Sequence, residues 1–299
     1  MSQDQFQEFY QKIYQDRWQE LSQSLLKPEV QMARWNQWAG NSEIELQNYK
    51  SKKSWNGFLQ GIILDPEEKM VPQITKEDLL NFYVMDPASA FAAKALDVQD
   101  GDRVLDMCAA PGGKSLILIE ALKNSGEIIC NDISSDRRER LKKVIQNYVP
   151  RTTRDRVWVK GLDAVQYGLR EPESFDRILL DAPCSGERHF LNDKKSMQEW
   201  SVKRPKGLEQ RQYALFSAAF LALKPEGAMV YSTCSLNPNE NDGVVGRLLK
   251  KKKDAVSVVE VNGEQLPGSE KTDYGIIYLP DRCGFGPLYI SRLIKHKAN

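Results

Sequence analysis

From Gly101 onward the sequence repeats one pattern five times: a short apolar run, a turn, then a helical pattern. The runs are D102-R-V-L-D-M107, E127-I-I-C-N-D132, R156-V-W-V-K160, F175-D-R-I-L-L180 and G227-A-M-V-Y-S232. Helical patterns fall at 115–122, 135–148, 206–223 and 240–253. Strands that are apolar on both faces and alternate with helices predict an α/β fold. Its sheet is doubly wound and mostly parallel, with helices on both sides. Ligands of such sheets bind beyond the carboxyl ends of the strands. Asp106, Cys108, Asp132, Asp163, Asp181, Cys184 and Cys234 all fall there. V256-S-V-V-E260 and L288-Y-I-S-R-L293 are expected to add antiparallel strands at the sheet edge.

The preceding part reads differently. Residues 4–38 carry apolar side chains at helical spacing (Phe6, Phe9 or Tyr10, Ile13, Leu21, Leu25), a pattern that stops near Lys27-Pro28. The stretch 49–76 is irregular, with Gly57, Gly61, Pro66 and Pro72 and room for one or two short strands. A helix follows Asp86-Pro87-Ala88-Ser89. The expected division is a mainly helical region over 1–80 and a second domain over 81–299.

Composition excludes several classes. The chain has 299 residues, 41% hydrophobic and 28% charged, which fits an ordinary globular protein. No apolar run approaches the roughly 20 residues that span a membrane, and the N-terminus shows no secretory or transit pattern. Five cysteines without a C-x-x-C pair read as reduced thiols in a cytoplasm-like compartment, not a disulfide framework or a zinc site. Net charge is +1, but basic side chains cluster at K50-S-K-K53, R137-R-E-R-L-K-K143, R151-T-T-R-D-R156, K203-R-P-K206 and K250-K-K-K253.

The first strand of the repeat runs into D106-M-C-A-A-P-G-G-K-S115. Glycines at a strand-to-helix turn let a ligand approach the backbone, and the helix N-terminus favours negative charge. A phosphate loop would need glycine where Cys108 stands, and a dinucleotide fingerprint needs G-x-G-x-x-G. S-adenosylmethionine has no pyrophosphate and needs neither. It needs an acid after the second strand for its ribose hydroxyls, where Asp132 stands; Asp163 is placed to face the adenine. Asp132 as a cap of the next helix is the alternative.

C108-A-A-P-G-G-K-S115, D181-A-P-C-S185 and S232-T-C-S-L-N-P-N-E-N241, in this order, resemble the Sun/Fmu family of RNA 5-cytosine methyltransferases. The similarity runs from about residue 80 onward. N81-F-Y-V-M-D-P-A-S89, F285-G-P-L-Y-I-S-R292 and F9-Y-Q-K-I-Y-Q-D-R-W18 look like its compact branch, which includes the mitochondrial enzyme for small-subunit ribosomal RNA. In D181-A-P-C-S-G-E-R-H189 the S-G is the general family form and the R-H the mitochondrial one. The resemblance implies a Rossmann-like S-adenosylmethionine-dependent methyltransferase fold. It implies Cys234 as nucleophile, Cys184 in product release and Asp181 holding the cytosine. It also implies a cofactor lined by Cys108, Ala109, Ala110, Pro111, Gly112 and Gly113, with Lys114 nearby, and bound by Asp132, Arg137, Asp163 and Asp181.

The chemistry accounts for these residue types. Carbon 5 of cytosine is a weak nucleophile until a thiolate adds at carbon 6. Addition puts negative charge at ring nitrogen 3, where a carboxyl such as Asp181, if protonated, can donate. Release then requires a base for the carbon 5 proton, which a second cysteine supplies. A nearby cation, Lys114 or the sulfonium, would raise the thiolate fraction of Cys234. Cys108, Cys130 and Cys283 are left without a chemical role. Arg188 and K203-R-P-K206 are expected to contact RNA, and His189 either meets a phosphate or caps a loop. The expected partner is RNA, ribosomal RNA of the small subunit first and transfer RNA second, reached by base flipping or in a single strand. A ribosomal subunit or accessory protein is a further candidate partner; a monomer is expected. The rival of another class is a non-catalytic RNA-binding assembly factor of the same fold.

Overall fold

The computed structural model describes residues 2–40, 53–54, 58–65 and 70–297. Helices α1 (Ser2–Tyr14) and α2 (Trp18–Leu26) come first. Lys27 leaves the helix in an extended conformation, as the following Pro28 ring requires. The helices form because their apolar stripe has a partner: Phe6 meets Trp200 edge-on at 5.2 Å and Tyr10 stacks on Trp18 at 5.2 Å. Burial of each such side chain stabilises by about 1.5–3 kcal/mol.

Strands β1 (Met32–Trp35), β2 (Lys53–Ser54), β3 (Gly61–Ile63) and β4 (Phe82–Met85) form an antiparallel sheet of order β2-β3-β1-β4. Among the described residues, the region over 1–80 is helical at its start and forms strands after it. Met32, Ala33 and Arg34 are buried in succession and Trp35 is partly exposed, so β1 has no alternation to stand out beside the helical pattern. The short strands expected between 49 and 76 are β2 and β3. Gly57, Pro66 and the basic run 50–52 lie outside the described residues. Helix α3 (Pro87–Ala95) starts at Asp86, whose Oδ1 accepts the Ser89 amide at 2.8 Å.

The repeat supplies β5 (Arg103–Asp106), α4 (Gly113–Ala121), β6 (Glu127–Asn131) and α5 (Ser135–Tyr148). It continues with a short α6 (Arg151–Arg154), β7 (Val157–Lys160), α7 (Tyr167–Arg170) and β8 (Phe175–Asp181). Helices α8 (Glu187–Asn192), α9 (Lys194–Glu199) and α10 (Lys203–Ala222) lead to β9 (Leu223–Thr233) and α11 (Asp242–Lys251). Last come β10 (Val256–Val259), β11 (Ser269–Lys271), β12 (Ile276–Tyr278), α12 (Pro280–Cys283) and β13 (Leu288–Lys295). The nine-stranded sheet runs β11-β12-β13-β9-β8-β5-β6-β7, with β10 paired to β13. From β9 to β7 all neighbours are parallel. The doubly wound reading holds.

Successive residues of the central strands enter opposite layers, as the two-residue period of a strand dictates. Leu105, Ile129, Ile178, Leu180 and Met229 pack in the layer that holds α1, α2 and α10. Val104, Ile128, Cys130, Leu179 and Val230 pack against α3 and α4. Strand β13 is not at the edge, as expected from the sequence, but antiparallel between β9 and β12. The physical reason is burial on both of its faces, with Leu288, Tyr289, Ile290 and Leu293 all in the core. No helix of the described residues is long and apolar enough to cross a membrane.

Candidate active site

Strand order reverses between β5 and β8: β6 and β7 follow on one side of β5, β9 beyond β8 on the other. A crevice opens at such a switch point. Asn131, buried at the end of β6, holds the neighbouring loops in place. Its Nδ2 donates to the Met107 and Leu162 carbonyls at 3.1 and 3.0 Å, and its Oδ1 accepts the Leu162 amide at 2.9 Å.

One cavity lies at the glycine turn. Its lining includes Tyr83, Asp106, Cys108, Ala109, Ala110, Pro111, Gly112, Gly113, Lys114 and Asp181. Gly112 has φ +119°, a left-handed conformation that suits glycine, and a Cβ on Gly113 would lie 2.6 Å from the Tyr83 ring. Asp106 Oδ2 accepts from Ser115 Oγ at 2.7 Å, tying α4 to β5. Its Oδ1 is buried without a hydrogen-bond partner, as is Asp132 Oδ2, which sits 3.4 Å from Arg137 Nη1. Burial pushes the Asp106 carboxyl up to about 7. Asp106 Oδ1, in the cavity's lining, and the amides at the start of α4 fit S-adenosylmethionine. The carboxylate suits its ammonium, and the amides its carboxylate. Ile133, 61% exposed beside Asp132, offers an apolar face for a purine.

Asp132, Arg137 and Asp163 stand outside this cavity's lining. Asp132 Oδ1 accepts the Ser134 amide at 3.0 Å, while Ser134 itself caps α5. Arg137 Nη2 donates to the Ala110 carbonyl and so buttresses the glycine turn. Asp163 is committed to Arg211 Nη2 at 2.5 Å and to the Val165 amide at 3.2 Å. Arg211 holds its carboxyl below the usual range.

A larger cleft of about 740 Å³ adjoins, with Lys27, Glu29, Arg188 and His189 at its walls and Cys184 and Cys234 among its lining. The two cavities share Asp86, Ser89, Lys114 and Asp181. Lys114 Nζ donates to Asp181 Oδ2 at 2.9 Å and to Ser89 Oγ at 3.2 Å, and Ser232 Oγ donates to Asp181 Oδ1 at 2.7 Å. An ammonium and a carboxylate thus meet where both cavities open. Glu29 is pushed up to about 7, first by burial and then by Asp86.

The expectation of five reduced thiols needs correction: Cys184 and Cys234 are joined as a disulfide. Both lie just past the ends of adjacent parallel strands, which brings their Cα atoms to 6.2 Å, within bonding range. The Cys234 amide also donates to Cys184 Sγ at 3.2 Å. Cys108, Cys130 and Cys283 are free. Burial pushes the Cys108 and Cys283 thiols up to about 12, so they stay protonated at neutral pH.

A family model for the 16S rRNA methyltransferase RsmB/F matches residues 93–294. This chain belongs to the RsmB/F family. RsmB/F relatives include the mitochondrial tRNA (cytosine(34)-C(5))-methyltransferase of Mus musculus, 28% identical over 98% of this chain and 89% of its own length. The 5-cytosine rRNA methyltransferase NSUN4 of Bos taurus is 35% identical over 73% of this chain. The ribosomal RNA small subunit methyltransferase F of Serratia proteamaculans (strain 568) is 37% identical over 73% of it. The matched part spans 60% of the NSUN4 protein and 45% of the Serratia one. The fold is that of a methyltransferase homolog from Pyrococcus horikoshii, with TM-score 0.76, 24% identity, and coverage of 96% of this chain and 93% of that one. NSun6 from the same organism, solved with SFG, gives TM-score 0.76 at 20% identity, covering 98% of each chain.

Within this RsmB/F chain, Arg188 and His189 both line the cleft. Arg188 donates to the Leu25, Lys27 and Gly286 carbonyls at 3.0–3.2 Å, so it staples α2 to the loop before β13. His189 is exposed and meets Ser196 Oγ at 3.1 Å, which links α8 to α9. The K203-R-P-K206 cluster opens α10, with Arg204 over the Phe190 ring at 4.9 Å. In the sequence Asp106 falls at the strand ends without a role of its own, and Ser232 and Ile133 are not singled out as site residues. Ser232 opens a quoted motif, and only its pairing with Asp181 across β8 and β9 shows its use.

Proposed function

We propose that this chain is an S-adenosylmethionine-dependent RNA cytosine-5 methyltransferase acting on small-subunit ribosomal RNA, as a monomer in a reducing compartment such as the cytoplasm. One observation carries the reading: the cavity at the glycine turn and the cleft with both cysteines share a wall at Lys114 and Asp181. A cytosine entering the cleft would sit between a thiol and a methyl donor.

Bound S-adenosylmethionine supplies an electrophilic methyl group. The chain's own groups do the rest. The Cys234 thiolate adds to cytosine carbon 6. Charge developing at nitrogen 3 meets the Lys114–Asp181 pair, which donates a proton or hydrogen bond there. Carbon 5, now enamine-like, takes the methyl. Cys184, as thiolate, removes the carbon 5 proton directly or through water, and Cys234 departs as the double bond reforms. Both sulfurs act only as thiols, so the Cys184–Cys234 disulfide must first be opened by a cellular thiol, two of which give up two electrons as they join in a disulfide of their own. Asp132 and Asp163, just past β6 and β7, and Arg137 on α5 would flank the cofactor from outside the cavity's lining.

Transfer RNA is the second reading, favoured by the mouse mitochondrial tRNA enzyme, the relative matched over most of its own length. The deciding experiment measures labelled methyl transfer in reductant to ribosomal and transfer RNA from cells lacking the protein. Wild type should transfer, Cys234→Ala should be inactive, and Cys184→Ala should accumulate a denaturation-resistant RNA adduct. Equal transfer by all three would falsify the mechanism. No transfer by wild type to either RNA or to assembled subunits would leave the assembly-factor reading.

A further inference from the structure

Behind the two cysteines lies a buried polar cluster that the reaction above does not use. Glu187 is 0% exposed. Four donors converge on its carboxylate: Tyr10 Oη and Ser185 Oγ on Oε1, Ser235 Oγ on Oε1 at 3.1 Å, and the Leu236 amide on Oε2 at 3.0 Å. Ser185 follows Cys184, and Ser235 follows Cys234. The two serine hydroxyls also lie 2.8 Å from each other. Glu240, likewise 0% exposed, accepts the Ser185 amide at 3.0 Å and Gln212 Nε2 at 2.7 Å. Burial and the nearby Glu187 carboxylate push the Tyr10 phenol up, so it remains a donor.

A buried carboxylate satisfied only by hydroxyls and an amide is a costly way to fill space, since apolar residues of similar volume often stabilise as well or better. Its partners are therefore informative. They come from the loop after β8, the loop after β9 and helix α1, and none of them lines the cofactor cavity. We propose that Glu187 is a positioning residue which, with Tyr10, fixes the separation of the Cys184 and Cys234 loops. Tyr10 extends the same device to α1, so the N-terminal helix sets the geometry of the cleft without touching its contents. This rests on reading the two cysteines as a working pair, but its test does not need methyl transfer.

The full chain is equilibrated with mixtures of glutathione and glutathione disulfide, without RNA or cofactor. Each Cys184–Cys234 pair that closes reduces one glutathione disulfide to two glutathiones, and mass spectrometry reads the closed fraction. The constant measures how often one thiol finds the other. Glu187→Gln and Tyr10→Phe should lower it at least tenfold. Lys295→Met, which disturbs a buried site near the start of β9, at the far end of that strand, should leave it within twofold at a comparable loss of Tm. Should Glu187→Gln not fold, Tyr10→Phe, which lacks a single oxygen, decides. A folded Glu187→Gln or Tyr10→Phe with the wild-type constant overturns the proposal, and so does an equal drop in Lys295→Met. In transfer assays the two variants should lose kcat in step with the thiol constant while KM for RNA holds. If thiol constants shift but wild type transfers nothing, the functional reading fails and the positioning stands.

Discussion

Cys184 and Cys234 have Cα atoms 6.2 Å apart although 50 residues of chain separate them. The register of β8 against β9, with Asp181 opposite Ser232, places both thiols beyond the same strand ends. That proximity serves a two-thiol reaction and equally invites oxidation. Glutathione disulfide should therefore abolish methyl transfer, and dithiothreitol should restore it fully. Cys108 and Cys283 should not contribute, because burial keeps them as thiols. A triple variant lacking the three free cysteines checks this: loss of the oxidative effect there would move the sensitivity away from the cleft.

Lys114 is the group that both cavities share and that brings a positive charge. Lys114→Met removes the donor facing nitrogen 3 and leaves Asp181 with Ser232 alone. Loss of one preorganised donor costs about 10²–10³ in kcat. Cofactor affinity should change much less. Steady-state kinetics decide: a rise in KM for S-adenosylmethionine at unchanged kcat would make Lys114 a cofactor holder only.

Asp106 gives a pH dependence. Its folded carboxyl titrates near 7, above the roughly 3.9 of a solvated aspartate. The folded state then binds more protons than the unfolded one between those values, so its contribution to stability is full below about pH 4 and lost as pH rises through 7. The span is about 4 kcal/mol at most. Asp106→Asn should flatten this decline, gaining stability at pH 8 without cofactor, and should bind S-adenosylmethionine more weakly. Denaturant midpoints at pH 5 and pH 8 for both proteins check it. Parallel curves would show that another group carries the pH effect.

The legible parts of the sequence were those whose function needs a local pattern. Apolar strands and the glycine turn write themselves as runs, so the parallel sheet and the lining from Cys108 to Lys114 could be read directly. Pairings across the chain leave no such trace. Glu187 sits in an S-G-E-R-H string that looks like surface, and its burial depends on Tyr10 arriving from α1. Arg188 reads as a phosphate contact because an arginine shows its charge in sequence but not the backbone carbonyls it binds. Met32–Trp35 pairs with strands on both sides, and four residues carry too little periodicity to announce a strand.

Strand β13 lies between β9 and β12, antiparallel to both. In order of synthesis β9 is made well before the strand that covers its outer edge. A nascent chain thus holds β9, the strand that leads to Cys234, as an open edge, able to pair with foreign strands, until residues 288–295 arrive. Translation order and assembly order disagree here. The sheet edge beside Cys234 is sealed only once residues 288–295 follow, well after the cysteine itself, so that protection of this edge from misassembly is a late event.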